Sequence, residues 1–228
     1  MLTARKLMKI EPTIKMASDY AKRKHRETNH KYDDVYPYEI HLWDVYEYAV
    51  KYRELLSNDY NEDLIINALA AAWVHDTMED TRETYNDVKK ATNKTIADIA
   101  YALTNHKGKT RSERAGKAYY KGIKNEPLAD YIKICDRLAN IRYSSTTQSR
   151  MIDVYRKEHD HFKNMLYKPE YSIMFKEMEM LLEEQSETEI YYARKQADRD
   201  KFLQQNLKLY VGFGIITTLL AIFCYFYY

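Results

Sequence analysis

Two histidines, His41 and His75, and two aspartates, Asp76 and Asp136, are the residues of this chain best suited to hold a divalent cation. Glu79 and Asp80 follow one helical turn after the His75-Asp76 pair. A mixed imidazole and carboxylate set suits Mn²⁺, Fe²⁺, Zn²⁺ or Mg²⁺ and leaves coordination positions for water and a substrate oxygen. Further acids beside such a site can orient a water molecule or take its proton. The chemistry this equipment predicts is metal-assisted phosphohydrolysis.

Those residues need elements to position them. Leu42, Val45, Tyr46, Ala49 and Tyr52 recur at steps of three and four, which predicts an amphipathic helix over 42–56 with His41 at its start. Asn58 to Asn61 reads as a turn that caps the next segment. From Glu62 to His75 the sequence is apolar on nearly every face and predicts a central helix. If that helix continues, Glu79 stands over His75 and Asp80 over Asp76. A helix over 86–103, a polar loop over 104–109 and a helix over 112–123 are expected next. Pro127 stands where the first position of a helix running to about Tyr143 belongs. That helix carries Asp136, with Asn140 one turn on, able to offer its amide to a substrate or to a ligand. Lys133 and Arg137 are expected on another face. Helices over 152–166 and 171–182 complete the set, with Met174, Met178 and Leu181 closing the core.

Composition agrees with helices throughout: Gly and Pro number only 5 and 4, and no Asn-Gly or Asp-Gly hairpin signal occurs. A net charge of +2, with 31% of residues charged, provides no strong basic field, so no nucleic-acid partner is expected. Cys135 and Cys224 are too far apart in kind and place to build a disulfide framework or a thiolate zinc site. Met1 to Pro12 has no continuous apolar stretch and does not read as a signal peptide.

The C-terminal run from Leu209 to Tyr228 is uncharged, long enough at about 1.5 Å per residue to span a bilayer core of about 30 Å. Tyr210, Tyr225, Tyr227 and Tyr228 resemble an aromatic belt at its ends. With Arg194, Lys195, Arg199, Lys201 and Lys208 before it, the run predicts a single-pass tail anchor with the rest of the chain in the cytoplasm. The expected architecture is therefore an all-α helical bundle over 1–168, a closing helix and charged helical stalk over 169–207, and a transmembrane helix over 208–228.

The ordered set His…His-Asp-x-x-Glu-Asp…Asp-x-x-x-Asn resembles the HD superfamily, and within it the SpoT/Rel-type alarmone hydrolases, including their small stand-alone form. The resemblance covers roughly Lys15 to Leu166. It rests on Ala21-Lys22-Arg23-Lys24-His25-Arg26, Pro37-Tyr38-Glu39-Ile40-His41, His75-Asp76-Thr77-Met78-Glu79-Asp80, Ala102-Leu103-Thr104, and Lys133 through Asn140. It implies a mononuclear, usually Mn²⁺-dependent site that removes the 3′-pyrophosphate of ppGpp or pppGpp. His41, His75, Asp76 and Asp136 would then be metal ligands, and Glu79 and Asp80 would orient and activate the attacking water. Asn140 would sit near the ribose and the metal, and Lys24 and Arg26 would face the nucleotide, with Lys107 and Arg114 as further cations. His25 falls beside the basic cluster, and His30, His106, His159 and His161 read as surface residues.

The chain departs from the family pattern in two places. Leu42 follows His41 where the family usually has proline, and the stretch between Arg26 and Pro37 carries Asp33-Asp34 in place of a basic pair. The second departure bears on the substrate. It keeps open a phosphohydrolase for another nucleotide, such as NADPH or a nucleoside triphosphate. A membrane-tethered nucleotide sensor without turnover is a third reading, which the pair of acids beside the ligands disfavours.

Overall fold

The computed structural model describes residues 3–105 and 110–183, together with Lys195 and Arg199. The chain enters through α1 (Ala4–Ile10) and α2 (Pro12–Glu27), the latter started by a proline at its first position, where a missing N–H costs nothing. A short hairpin, β1 (Lys31–Tyr32) and β2 (Tyr36–Pro37), leads into α3 (Glu39–Lys51), which ends in a 3-10 turn over Arg53–Leu56. Asn61 then caps α4 (Glu62–Val74), its side chain accepting from the Leu64 N–H at 2.8 Å.

Apolar all round, α4 must be surrounded, and it packs against α2, α3 and α7 (Lys94–Leu103). Ala68, Ala70, Ala71 and Ala72 let those neighbours approach, while Trp73 is fully buried. After α4 come α5 (Thr77–Asp80) and α6 (Tyr85–Ala91). Two short helices, α8 (Arg111–Arg114) and α9 (Lys117–Asn125), precede α10 (Ala129–Thr147). This last helix crosses α3 and is covered by α11 (Met151–Leu166) and α12 (Ser172–Leu182). Met174, Phe175, Met178 and Leu182 bury the inner face of α12, with Leu182 rather than Leu181 at its end. Glu177 on α12 accepts from Tyr48, Lys51 and Tyr52 of the α3 region and so ties the two ends of the bundle together.

Local capping cuts the expected helices into shorter ones. Thr84 and Asp87 form a reciprocal capping box that starts α6, and Asn93 caps α7, so the helix expected over 86–103 is two helices. The helix expected over 112–123 is likewise broken at Ala115 and Gly116. Pro127 does not start α10. The helix begins at Ala129, after Leu128 in the left-handed region at φ 63°, a conformation that costs roughly 1–2 kcal/mol and places the Leu128 side chain in the core.

One part of the expected architecture is corrected. No helix among the described residues is long and apolar enough to cross a membrane. The most apolar of them, α4, has 13 residues and lies inside the bundle; the longest, α10, carries Asp130, Lys133, Asp136, Arg137 and Arg142. The run over 208–228 on which the anchor rested lies outside the described residues, as does nearly all of the stalk. Among the described residues the helical bundle has no transmembrane helix, and the tail-anchored placement facing the cytoplasm is withdrawn with it.

Candidate functional site

Four side chains from three helices and one turn converge at the floor of a cavity. His41 lies in the first turns of α3, His75 closes α4, Asp76 sits in the turn before α5, and Asp136 is midway along α10. His41 Nε2 is 3.5 Å from Asp76 Oδ2 and 3.4 Å from Asp136 Oδ1. His75 Nε2 is 3.0 Å from the same Asp76 oxygen and 3.8 Å from the same Asp136 oxygen. Ligands about 2.1 Å from one cation stand about 3.0–3.4 Å apart when adjacent, so these spacings suit a single metal ion. The ligand atoms of His41, His75 and Asp136 all lie within 4.8 Å of one another; Asp76 falls outside that mutually close set and meets it through the two histidines.

The surrounding hydrogen bonds leave the right atoms free. His75 Nδ1 lies 2.9 Å from the Ala72 carbonyl oxygen, which can only accept, so the proton is on Nδ1 and Nε2 presents its lone pair. That Nε2 is buried, and its 3.0 Å approach to Asp76 Oδ2 is an ion-pair contact without regular hydrogen-bond geometry. Asp136 divides its oxygens: Oδ2 accepts from Lys133 at 2.8 Å, while Oδ1 faces the histidines and accepts from Asn140 Nδ2 at 2.6 Å. Asp76 Oδ2 accepts from the Tyr38 hydroxyl at 2.5 Å.

The electrostatics also call for a cation. Burial pushes the His41 imidazole down, but Asp136 and Asp76 outweigh it and hold it up at about 9. His75 is raised in the same way, against burial, chiefly by Asp76. Burial alone would raise both carboxyls, yet His75 and His41 hold Asp76 far below the usual range, and Lys133 with His41 does the same for Asp136. Two carboxylates aimed at one point keep positive charge there, as protons on imidazole or as a metal ion.

Glu79 and Asp80 line the same cavity, but not by the route expected. The helix does not continue past His75: Asp76 breaks it, and both acids ride on α5, a separate single turn. Glu79 reaches across to the segment just past α7, accepting from the Asn105 side-chain amide at 2.8 Å and the Asn105 N–H at 3.1 Å. Asp80 is raised to about 7, by burial first and then by the charges of Asp76 and Glu79.

The cavity holds about 410 Å³, within the range of small-molecule sites, and its outer wall is basic and aromatic. Arg111, Arg114, Lys133, Arg137 and Lys157 line it, with Tyr119, Tyr155 and Phe162 between them. Lys133 and Arg137 therefore face the site, contrary to the expected face. Lys24 and Arg26 do not line it. Lys24 is held by Glu27 at 2.9 Å and Glu83 at 3.1 Å, and Arg26 makes a two-pronged pair with Glu39 at 2.8 Å for each bond. Lys107 and His106 lie outside the described residues.

Asn140 turns its amide to Asp136 and accepts from the Tyr32 hydroxyl at 3.2 Å, so a hairpin residue braces Asp136 through it. The sequence concealed that hairpin. The loop between the paired Tyr32 and Tyr36 has three residues; Asp33 and Asp34 both take positive φ, as the central residues of a type I′ turn do, and Asp33 also accepts from Tyr143 on α10. The pair is turn chemistry as well as a change of charge. His30, read as a surface residue, stacks on Tyr38 at 3.9 Å between ring centres, and His25 stacks on the other two. His161 is exposed, as expected, and also lines the cavity. Tyr38 was visible only as part of a motif. Arg111 carried no local signal, and Arg137 stood only as a member of the motif from Lys133 to Asn140.

No family model matches the chain. Among curated proteins it is 27% identical over 124 residues to guanosine-3′,5′-bis(diphosphate) 3′-pyrophosphohydrolase MESH1 of Danio rerio, an alignment that spans 54% of this chain and 64% of that protein. The Homo sapiens MESH1 is 28% identical over 127 residues, spanning 55% of this chain and 66% of that one. The guanosine-3′,5′-bis(diphosphate) 3′-pyrophosphohydrolase of Aquifex aeolicus is 35% identical over 133 residues, 57% of this chain but 17% of its own length. The chain is thus similar in sequence to several proteins named as guanosine-3′,5′-bis(diphosphate) 3′-pyrophosphohydrolases. It spans less than two thirds of the length of each of these relatives. A solved structure described as a metazoan orthologue of SpoT that hydrolyses ppGpp aligns with 82% of this chain and 96% of its own, at 21% identity and a TM-score of 0.45, too loose a likeness to build on.

Proposed function

We propose that this protein hydrolyses the 3′-pyrophosphate of ppGpp or pppGpp at a single divalent cation, Mn²⁺ in the first instance. The observation that carries the reading is the convergence of His41, His75, Asp76 and Asp136 on one point at the floor of a cavity walled by cations. The names of the homologous proteins supply the substrate.

In this reading His41 and His75 give Nε2, and Asp76 and Asp136 give one oxygen each, to the ion. The cation, when bound, supplies Lewis-acid polarisation of a phosphoryl oxygen and of water. Everything else falls to the chain. Asp80 and Glu79 orient the attacking water and receive its proton; water oxygen bonds to the phosphorus next to the 3′ oxygen as the bond to that oxygen breaks. Pyrophosphate leaves, and the departing 3′ oxygen takes up the proton released from the water to become the 3′ hydroxyl of GDP or GTP. Arg114 and Lys157 have no acidic partner among the described residues and are free to meet phosphate oxygens. Asn140 acts through Asp136, which it holds in place.

A second reading, the same chemistry on another nucleotide such as NADPH or a nucleoside triphosphate, is favoured by one observation. Lys24 and Arg26, which would face the nucleotide, are neutralised by the protein's own carboxylates. The test is incubation of the Mn²⁺-loaded protein with ppGpp, NADPH and a panel of nucleoside triphosphates, with products separated by anion exchange. Release of pyrophosphate from ppGpp, lost in Asp76→Ala, is the expected result. Turnover confined to another nucleotide moves the substrate to the second reading, and no turnover of any overturns both.

A further inference from the structure

The two arginines on the outer wall of the cavity already grip an anion, and it belongs to the protein. Arg111 donates from Nε to Glu158 Oε1 at 2.7 Å and from a terminal nitrogen to Oε2 at 3.3 Å. Arg137 donates to the same Oε2 at 2.9 Å. Tyr155 lies under both guanidinium groups, with Arg111 5.5 Å and Arg137 4.9 Å from its ring centre, and Arg137 also sits 4.5 Å from the centre of Phe162. The rings hold the two planes in place and leave their edges for oxygen acceptors.

Arg111 comes from α8, Arg137 from α10, and Glu158 with Tyr155 from α11. All four line the cavity that contains the metal-ligand cluster. Glu158 is not sealed in: about 30% of its side chain remains exposed, so the carboxylate can swing out to water. Two forked cations converging on one spot suit a phosphate group, which offers three oxygens and more charge than a carboxylate.

We propose that Arg111 and Arg137 form an anion subsite for a phosphate group of the nucleotide, and that Glu158 is its built-in competitor. A phosphate enters by displacing the Glu158 carboxylate from at least one arginine, which weakens the affinity for polyphosphate and raises the concentration at which the site fills. This inference rests on the nucleotide reading above for its ligand class, but not on turnover. The opposing possibility is a purely structural Glu158 that props the arginines in position.

The two roles predict opposite signs in one experiment. Binding of inorganic pyrophosphate to the full chain is measured by titration calorimetry for the wild type, Glu158→Gln, Arg111→Gln, Arg137→Gln and the Arg111→Gln/Glu158→Gln double variant. Asp153→Asn, on the same helix with its side chain in solvent and paired to Arg156, controls for net charge. Expected are about tenfold tighter binding in Glu158→Gln, about tenfold weaker binding in either arginine variant, and a gain from Glu158→Gln that shrinks in the Arg111→Gln background. Should Arg137→Gln fail to fold for want of its ring contacts, the Arg111 variants alone decide. Unchanged or weaker binding in Glu158→Gln, a gain no larger than that of Asp153→Asn, or a gain undiminished in the double variant overturns the proposal, as does pyrophosphate binding to none of the proteins. Failure of ppGpp hydrolysis with the Glu158 effect intact would sink the proposed reaction and leave the subsite standing.

Discussion

The Tyr38 hydroxyl donates to Asp76 Oδ2 at 2.5 Å, the same oxygen that faces both His41 and His75. The ring behind that hydroxyl is held by its stack with His30 and His25, so the bond fixes where the carboxylate points. Partners of this kind, one shell out from a metal, are worth about 10–100-fold in metal affinity. Tyr38→Phe keeps the stack and removes the bond. Metal titration against a competing chelator should show Mn²⁺ binding weakened about tenfold, with thermal stability changed by no more than about 1 kcal/mol. An unchanged affinity would mean that the other three ligands position Asp76 without help.

Glu79 is held by Asn105 and not by any of the four ligands, which separates its role from theirs. Glu79→Gln should therefore lower kcat by about 100-fold or more while Mn²⁺ affinity stays within about twofold. Asp136→Asn, by contrast, should lose the metal itself. Equal loss of metal in both variants would place Glu79 among the ligands.

The hairpin turn makes a prediction about stability. Asp34 sits at φ 58°, where a side chain branched at Cβ is strained and glycine is not. Asp34→Val should lower the free energy of unfolding by roughly 1–2 kcal/mol, and Asp34→Gly should leave it unchanged or slightly higher. Urea denaturation of the two variants checks the order. A more stable valine variant would remove the turn from the account.

His25 gives a pH dependence whose sign follows from its burial. Burial is the main cause that pushes its imidazole down from 6.5 to about 4; Asp76 opposes the shift, while His30, His75 and His41 add to it. The unfolded chain binds this proton near 6.5 and the folded chain only near 4. The contribution is thus fully present above about pH 6.5 and is lost as pH falls toward 4, by up to roughly 3 kcal/mol. His25→Asn should flatten the acid side of the stability curve relative to wild type over that window. Proton NMR of the His25 ring should report its titration near 4, and a midpoint near 6.5 would refute the assignment.

What the sequence by itself determined is the helical class and the residue types from which a candidate site could be assembled. His41, His75, Asp76 and Asp136 stand out by residue type and order, and the stretch from Leu64 to Val74, apolar but for Asn67, declares a core helix because nothing else could hide so much apolar surface. Periodicity reports neighbours three and four residues apart and no others. It thus found Asn140 over Asp136, but it extended α4 through Asp76, where the chain turns and carries Glu79 away to Asn105. Only the tertiary structure decided which charges are spent and which are free. Lys24 and Arg26 meet Glu83 and Glu39, carboxylates supplied by other elements, while Arg111 finds its acid on α11 and Arg137 turns into the cavity. A long cationic side chain can reach several partners, and the one it takes is set by how distant helices pack. That packing leaves no mark on the local spacing of residues.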